Sequence, residues 1–470
     1  MTNLDLAYMS ASQLAARIRR RELSPVEIVK NALARIDEVN GALNCFCFVY
    51  PEEAIAGAKA AEAAVMAGGP LGPLHGVPIA FKDMTPTRGK RTTLGSRIFE
   101  NWIPDRDAVV VERLVGAGAI MVGKTTTAEL AATGITETNL WGITRNPWDT
   151  CRTPGGSSGG SGSAVAAGCV PLAEGCDMGG SIRIPAAFCG IVGLKPSFGR
   201  IPFDILPSQF DSYCHFGPLA RSVDDAALFL ATAQGRDNRD ISSIPTPSAI
   251  PTRIDGDVRG LRIALSADLG YYAVDAEVVA NLEAAAGLLR DRGAIVEPVE
   301  LGLTREINDV GFQHWNAYVA ALAGPYLAEW RQVMDPVVIK MAEDGLKMDA
   351  VQLKRLEFDR TRLWQKFHPL FDRHDALLCP TASIPAPPTG VTDLDYGYDD
   401  ANGRYCQYEM TFPFNLFSAC PALSMPSGFS AGGLPTAVQI VGRPYEDVTV
   451  LTIGAALEAA TPWLQRRPPI

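Results

Sequence analysis

The sequence predicts an α/β layered fold with a largely parallel sheet, and three observations carry that reading. Short apolar runs such as Val77-Pro78-Ile79-Ala80-Phe81 have the length and composition of buried strands. Segments of helical length and pattern alternate with them. A helix–Gly–strand order occurs twice, through Gly118 into 119–122 and again over 275–301, after a strand at 261–265. Strands alternating with helices build sheets covered by helical layers. Composition agrees: 47% hydrophobic and 20% charged residues describe a globular chain with a large core rather than a disordered one. At roughly 150 residues per domain, length alone allows about three domains.

Along the chain, residues 11–39 read as two helices. Ser24 is a good N-cap, Pro25 suits the first helical position, and Glu27 closes a capping box. An Ala-rich helix follows over 52–67, then the strand at 77–81, a helix at 107–116 and the strand at 119–122. Residues 240–258, rich in Pro, Ser and Thr, are the best linker candidate; sheet grammar resumes beyond them, so they connect parts of one domain. Residues 304–374 are helical and amphipathic. The stretch 382–408 is Pro-rich, then acidic and Tyr-rich, and reads as either a lid over a site or a surface loop.

Charge and composition exclude several function classes. A net charge of −10 removes the electrostatic footprint of a nonspecific nucleic-acid binder. No apolar run approaches the roughly 20 residues of a membrane helix, and the start MTNLDLAYMS lacks a signal-peptide pattern. Ten cysteines, Cys45 to Cys420, lack framework spacing and any CxxC pair, so free thiols in a reducing cytoplasm are expected. His75, His215, His314, His368 and His374 form no ligand cluster, and neither metal nor cofactor is expected.

Three motif matches compete. Gly118 to Thr125 satisfies the P-loop pattern, but its middle residues Ala-Ile-Met-Val belong inside a sheet and a helix precedes it where a strand is required. Gly155-Gly156-Ser157-Ser158-Gly159 fits a nucleophile elbow, yet 147–154 are not a buried strand. By composition 155–163 also fits a flexible linker, though apolar helix formers follow at once at Ala164. The third match is a constellation: Lys82 ends an apolar strand, a Gly-Ser loop spans 155–162, and Gly179-Gly180-Ser181 forms a second turn. Desolvation makes an amine easier to deprotonate, and a neutral amine is a base for a serine hydroxyl. Consecutive glycines before a serine let backbone N–H groups converge on one point, as an oxyanion hole requires. Singly, Lys82 reads as an amine paired with Asp83 and Gly179-Gly180 as a tight turn; together they point to acyl transfer.

These residues resemble the amidase signature family. The segments GGSSGGSGSAVAAG and GCDMGGSIRIPAAFCGIVGLKPSFGR carry the likeness over 154–200, and the Lys82–Ser157–Ser181 spacing agrees. Similar blocks are GVPIAFKD (76–83), GKTTTAEL (123–130), HFGPLARSVDDAALFL (215–230), DALLCPTA (375–382), PFNLFSACPALSMPSGF (413–429) and GLPTAVQIVGRPYED (433–447). The resemblance implies a single three-layer α/β/α domain over 1–470 around a large mixed, mostly parallel sheet. It places a catalytic core at about 70–230 and helical and lid-like insertions at about 304–408.

The resemblance also implies the site. Ser181 is the nucleophile, Ser157, on a cis peptide bond after Gly156, relays the proton, and Lys82 is the base. The N–H groups of Met178, Gly179, Gly180 and Ser181 would hold the oxyanion, with Asp177 and Arg183 bracing the turn. Cys176 departs from the family's usual Thr, and Gly162 interrupts the small-residue run. The implied reaction is amide C–N cleavage on amides, anilides, carbamates or esters, in the cytoplasm, without metal, cofactor, nucleic acid or membrane, and with a homodimer as candidate assembly. The alternative within the family is a glutaminase-type subunit of a tRNA-dependent amidotransferase. The pocket is expected from Ala131 to Gly134, from 200–216 with Phe203, Phe210, Tyr213 and Phe216 as apolar walls, and from 382–408. Those walls favour small uncharged apolar or aromatic substrates.

Overall fold

Eleven strands form one mixed sheet in the computed structural model, which describes residues 2–245, 249–251, 253–461, 463 and 466–470. The strands are β1 (Phe46–Val49), β2 (Pro78–Lys82), β3 (Ile120–Thr125), β4 (Leu172–Asp177), β5 (Val192–Lys195) and β6 (His215–Ala220). They continue with β7 (Arg262–Leu265), β8 (Ile295–Pro298), β9 (Ala376–Pro380), β10 (Ala422–Phe429) and β11 (Pro435–Gly442). Their order is β1-β3-β2-β4-β6-β5-β10-β11-β9-β7-β8.

Period-2 alternation sends neighbouring side chains to opposite faces. Ile79 and Phe81 of β2, Leu172 of β4, Ile263 of β7, Leu378 of β9 and Met425 of β10 share one continuous apolar cluster. Helices Ala11–Arg19, Val109–Gly116, Val223–Ala233, Ala276–Asp291 and Asp447–Ala460 cover it. The intervening residues face a second layer in two parts. Ala80, Ala173 and Leu219 pack against helices Pro25–Leu43, Pro51–Ala67, Gly159–Ala166 and Arg183–Cys189. Ala264, Leu377 and Ala422 pack against helices Glu306–Ala323 and Ala350–Phe367. This is the expected three-layer α/β arrangement.

The sheet departs from the expectation in direction. Pairs β2–β3, β2–β4, β7–β8 and β7–β9 are parallel; the other six neighbouring pairs are antiparallel. The helix–Gly–strand grammar detects crossover units only. β6 follows β5 through the irregular stretch 196–214, and β10 turns into β11 at 430–434, where Ser430 N–H donates to Leu434 C=O at 2.8 Å. Neither connection imposes parallel pairing. Within the span 304–408, β9 separates the helices from the stretch 382–408.

Other elements fall close to the reading. Ser24 caps Pro25–Leu43 by accepting from Val26 and Glu27 N–H, but its hydroxyl donates to Glu62, where a capping box was expected. The P-loop match is the strand β3. Residues 246–248 and 252, within the linker candidate, lie outside the described residues; beside them Ile254 N–H donates to Asp224 at 2.9 Å. All ten cysteines are unpaired. Among the described residues no helix is long and apolar enough to cross a membrane.

Leu378 is fully buried in the continuous cluster, on β9. Leu378→Ala is expected to cost about 2–5 kcal/mol of stability, read as a lowered urea midpoint at unchanged m-value.

Candidate functional site

Parallel β2 and β4 bring their C-terminal residues, Lys82 and Asp177, to the same edge of the sheet. In α/β sheets, crevices for ligands form at that edge. Lys82 is fully buried, and its Nζ donates to Ser157 Oγ at 2.7 Å and to Cys176 Sγ at 3.2 Å. Ser157 follows a cis peptide bond from Gly156, and only Ser158 separates it from the helix Gly159–Ala166. That helix starts against β3: a Cβ on Gly160 would lie 2.5 Å from Thr126 N and 2.6 Å from Cys45 O, so only glycine lets it approach. The Gly-Ser stretch is therefore a packed helix start and not a linker. Ser158 N–H donates to Ser181 C=O at 3.3 Å, tying the Ser157 loop to the turn after β4.

That turn, 178–182, is organised by Asp177. Its carboxylate accepts from Gly180 N–H at 2.9 Å and Ile182 N–H at 3.3 Å. Arg183 closes on it through two bonds, Nε to Oδ2 at 2.9 Å and Nη2 to Oδ1 at 3.0 Å. Asn415 Nδ2 adds a bond at 2.9 Å. All three residues are fully buried. Burial alone pushes a carboxyl up, but the Arg183 charge and these hydrogen bonds outweigh it and hold Asp177 well below the usual carboxylate range. Gly180 sits at φ 134°, where a Cβ would lie 2.0 Å from Thr411 Oγ1.

The N–H groups divide accordingly. Gly180 N–H, one of the four expected oxyanion donors, is occupied by Asp177. Those of Met178, Gly179 and Ser181 have no protein acceptor among the described residues, and all three residues line a cavity of about 260 Å³. Preorganised donors at a cavity wall beside a serine are what stabilises an oxyanion.

The cavity walls come from segments far apart in sequence. Ala131 to Gly134 form one side, and Asp393, Leu394, Tyr396, Tyr405 and Gln407 show that 382–408 covers the site. The stretch 200–216 does not contribute. Phe203 and Phe216 pack on each other at 4.3 Å in the core, Tyr213 lies under the Arg360 guanidinium, and Phe210 is exposed. The apolar wall is instead Phe312 and Trp315 on helix Glu306–Ala323, Val337 and Met341 on helix Pro336–Gly345, and Phe412. Their amphipathic spacing marked helices without marking which face meets the site.

Polar groups complete the cavity. Asp393 accepts from Gly134 N–H at 2.8 Å and from the Tyr408 hydroxyl. Glu409 also lines it, and burial, with the nearby Asp393 and Asp177 charges, pushes its carboxyl well above the ordinary value. His215 supplies no Ser-His-Asp partner: its ring nitrogens lie 3.2 Å from Asp177 O and 3.1 Å from Ser418 O, and burial beside Lys195 pushes it down to about 3. Among the described residues no group of three or more His, Cys, Asp or Glu is placed to hold a metal.

Comparison with known proteins gives the same assignment from a different direction. Residues 27–451 match the family described as Amidase. The chain is 36% identical to an acylamidase of Rhodococcus erythropolis, covering 100% of this chain and 98% of that protein. It is 37% identical to a glutamyl-tRNA(Gln) amidotransferase subunit of Chloroflexus aggregans, covering 99% of each. Its structure superposes on a bacterial aryl acylamidase of the amidase signature family with a TM-score of 0.90, at 30% identity over 97% of each chain.

Because Asp177 is held low in the folded chain, its stabilising contribution is complete above its unfolded value of roughly 3.9 and is lost as pH falls below it. Asp177→Asn leaves Arg183 buried without its counter-charge. It should cost about 3–5 kcal/mol at pH 7 and lose less on acidification than wild type, as measured by urea unfolding at pH 7 and pH 3.

Proposed function

This chain belongs to the amidase signature family and is a hydrolase acting on C–N bonds; we propose that it is a free-standing amidase working through an acyl-enzyme on Ser181. The observation that carries this reading is the buried 2.7 Å contact from Lys82 Nζ to Ser157 Oγ, on a loop bonded to Ser181, which lines a cavity. Ser181 Oγ attacks the substrate carbonyl carbon while its proton passes to Ser157 and the Ser157 proton to Lys82. The oxyanion settles against the N–H groups of Met178, Gly179 and Ser181. The C–N bond then breaks, the departing nitrogen takes the proton back through the same relay, and water repeats the cycle on the Ser181 ester.

The aromatic wall of Phe312, Trp315 and Phe412 supports small uncharged aromatic or apolar amides and anilides, with carbamates and esters as further substrates. Burial and the nearby Asp393 and Asp177 charges favour the neutral form of the Glu409 carboxyl, which supports recognition of a neutral polar group by hydrogen bonding. The sheet's continuity from β1 to β8 supports reading 1–470 as one domain. Ten unpaired thiols support a cytoplasmic setting.

A second reading, a glutaminase-type amidotransferase component, is supported by the similar identity to relatives of that name and by Arg305 and Asp309 at the cavity, which suit a charged amino acid. Ammonia release from glutamine, with copurification of a tRNA-binding partner and no anilide turnover, would replace the first reading by the second.

Ser181→Ala should lower anilide hydrolysis at least about 10³-fold and abolish covalent labelling by a fluorophosphonate, measured by intact-mass spectrometry. Phe312→Ala, outside the relay, should raise KM for anilides about tenfold with kcat little changed, as steady-state kinetics on matched anilide and aliphatic amide substrates would show.

A further inference from the structure

Strand β4 reads Leu-Ala-Glu-Gly-Cys-Asp and is buried along its whole length. A carboxyl at its third position is costly inside a sheet and persists only where partners hold it. The Glu174 carboxyl has two such partners, and its backbone has a third contact. Its Oε2 accepts the backbone N–H of Lys82 at 3.0 Å. Both of its oxygens lie within reach of the Thr85 hydroxyl, at 3.0 and 3.1 Å. Its backbone carbonyl accepts Ser161 Oγ at 2.9 Å, from the helix that follows Ser157. Two residues along the same strand, on the same face, Cys176 lies 3.2 Å from Lys82 Nζ. One strand therefore underlies Lys82 from its backbone to its amine.

We infer that Glu174 is a positioning residue of the hydrolytic site: its carboxylate fixes the end of β2 and opposes the positive charge that Lys82 gains on taking the serine proton. This rests on reading Lys82 as the base. The other charged and titratable groups around Glu174 are few. Lys82 and Lys124 attract its anionic form. Lys124, on β3, anchors its Nζ on Thr85 O at 2.6 Å and is shared with Asp83 and Cys47. Cys176 and Asp177 follow on its own strand, and its partner on β6 is the uncharged Pro218. Burial pushes the carboxyl up to about 7 against the pull of these hydrogen bonds and of the two lysines, so its charge switches on across neutral pH.

The test follows the rate of fluorophosphonate labelling of Ser181 against pH, with anilide kinetics alongside, in wild type, Glu174→Gln and Thr85→Val. Wild-type labelling should rise through neutral pH as Glu174 ionises. Glu174→Gln should lack that step and react about tenfold more slowly at pH 8, with KM unchanged. Thr85→Val keeps the charge but removes a hydrogen bond to it, so the step should move to higher pH; this variant carries the test should the glutamine variant fail to fold. A Glu174→Gln profile superimposable on wild type, or a step unmoved in Thr85→Val, overturns the inference while leaving the amidase reading intact. Wild type that is not labelled, or Ser181→Ala labelled equally, overturns both.

Discussion

The site depends on one buried ion pair. Asp177 and Arg183 have no contact with solvent, and two charges removed from water are stable only when their remaining hydrogen-bonding capacity is filled. Here it is filled by parts of the chain that would otherwise have no reason to meet. Asp177 takes N–H groups of the 178–182 turn, while Arg183 reaches Thr411 O at 3.0 Å, Gln439 Oε1 on β11 at 3.1 Å and Asn415 Oδ1 at 2.6 Å. The pair thereby joins β4, the helix Arg183–Cys189, the 411–415 segment and β11 at one point. The turn that carries Ser181 has its shape because it is wrapped around a carboxylate.

Lys82 and Ser157 are placed by a second constraint, backbone approach. Ser157 reaches the amine only because the helix after it lies close against β3, and glycine at 160 is what permits that distance. Ser161 on this helix then binds the Glu174 carbonyl, and Glu174 holds the Lys82 N–H. The Lys82–Ser157 pairing is thus closed through the backbone of three elements as well as through its own 2.7 Å contact. A shift in β4 would move the turn, the amine and Ser157 together.

What could be read from the sequence follows from the same physics. Lys82, Ser157 and Ser181 stand at a strand end and in Gly-rich turns, where a polar residue in an apolar setting is conspicuous, whereas the parts of Asp177 and Arg183 come only from the family resemblance. The structure brings Lys82 and Ser157 into contact and ties the Ser157 loop to Ser181. Strand direction was not legible at β6 and β10, because apolar runs have no polarity and only their connections decide it. Nor was the apolar wall: Phe210 and Phe312 are equally aromatic in sequence, and only packing shows that one is solvent-exposed while the other lines the cavity. Asn415 and Gln439 look like ordinary polar residues until Arg183 is found beside them. The commitment of Gly180 N–H to Asp177 likewise depends on a three-dimensional turn that spacing alone does not specify.

Floor and walls of the cavity have different physical origins, and this separates chemistry from selectivity. The floor consists of strand ends and turns locked by buried charge and glycine contacts, where almost any substitution would break a bond that several elements share. The walls are the helices Glu306–Ala323 and Pro336–Gly345 and the segment 393–412, which present Phe312, Trp315, Val337, Met341 and Phe412 to the cavity. Trp315 Nε1 donates to Ala132 O at 3.1 Å, while Phe312 and Phe412 pack on each other within the wall at 4.8 Å between ring centroids. Apolar packing tolerates exchange of similar volumes far better than a buried ion pair tolerates loss of a partner. A change of substrate on this scaffold is therefore cheapest in the walls, where it leaves untouched the turn that Asp177 and Arg183 hold.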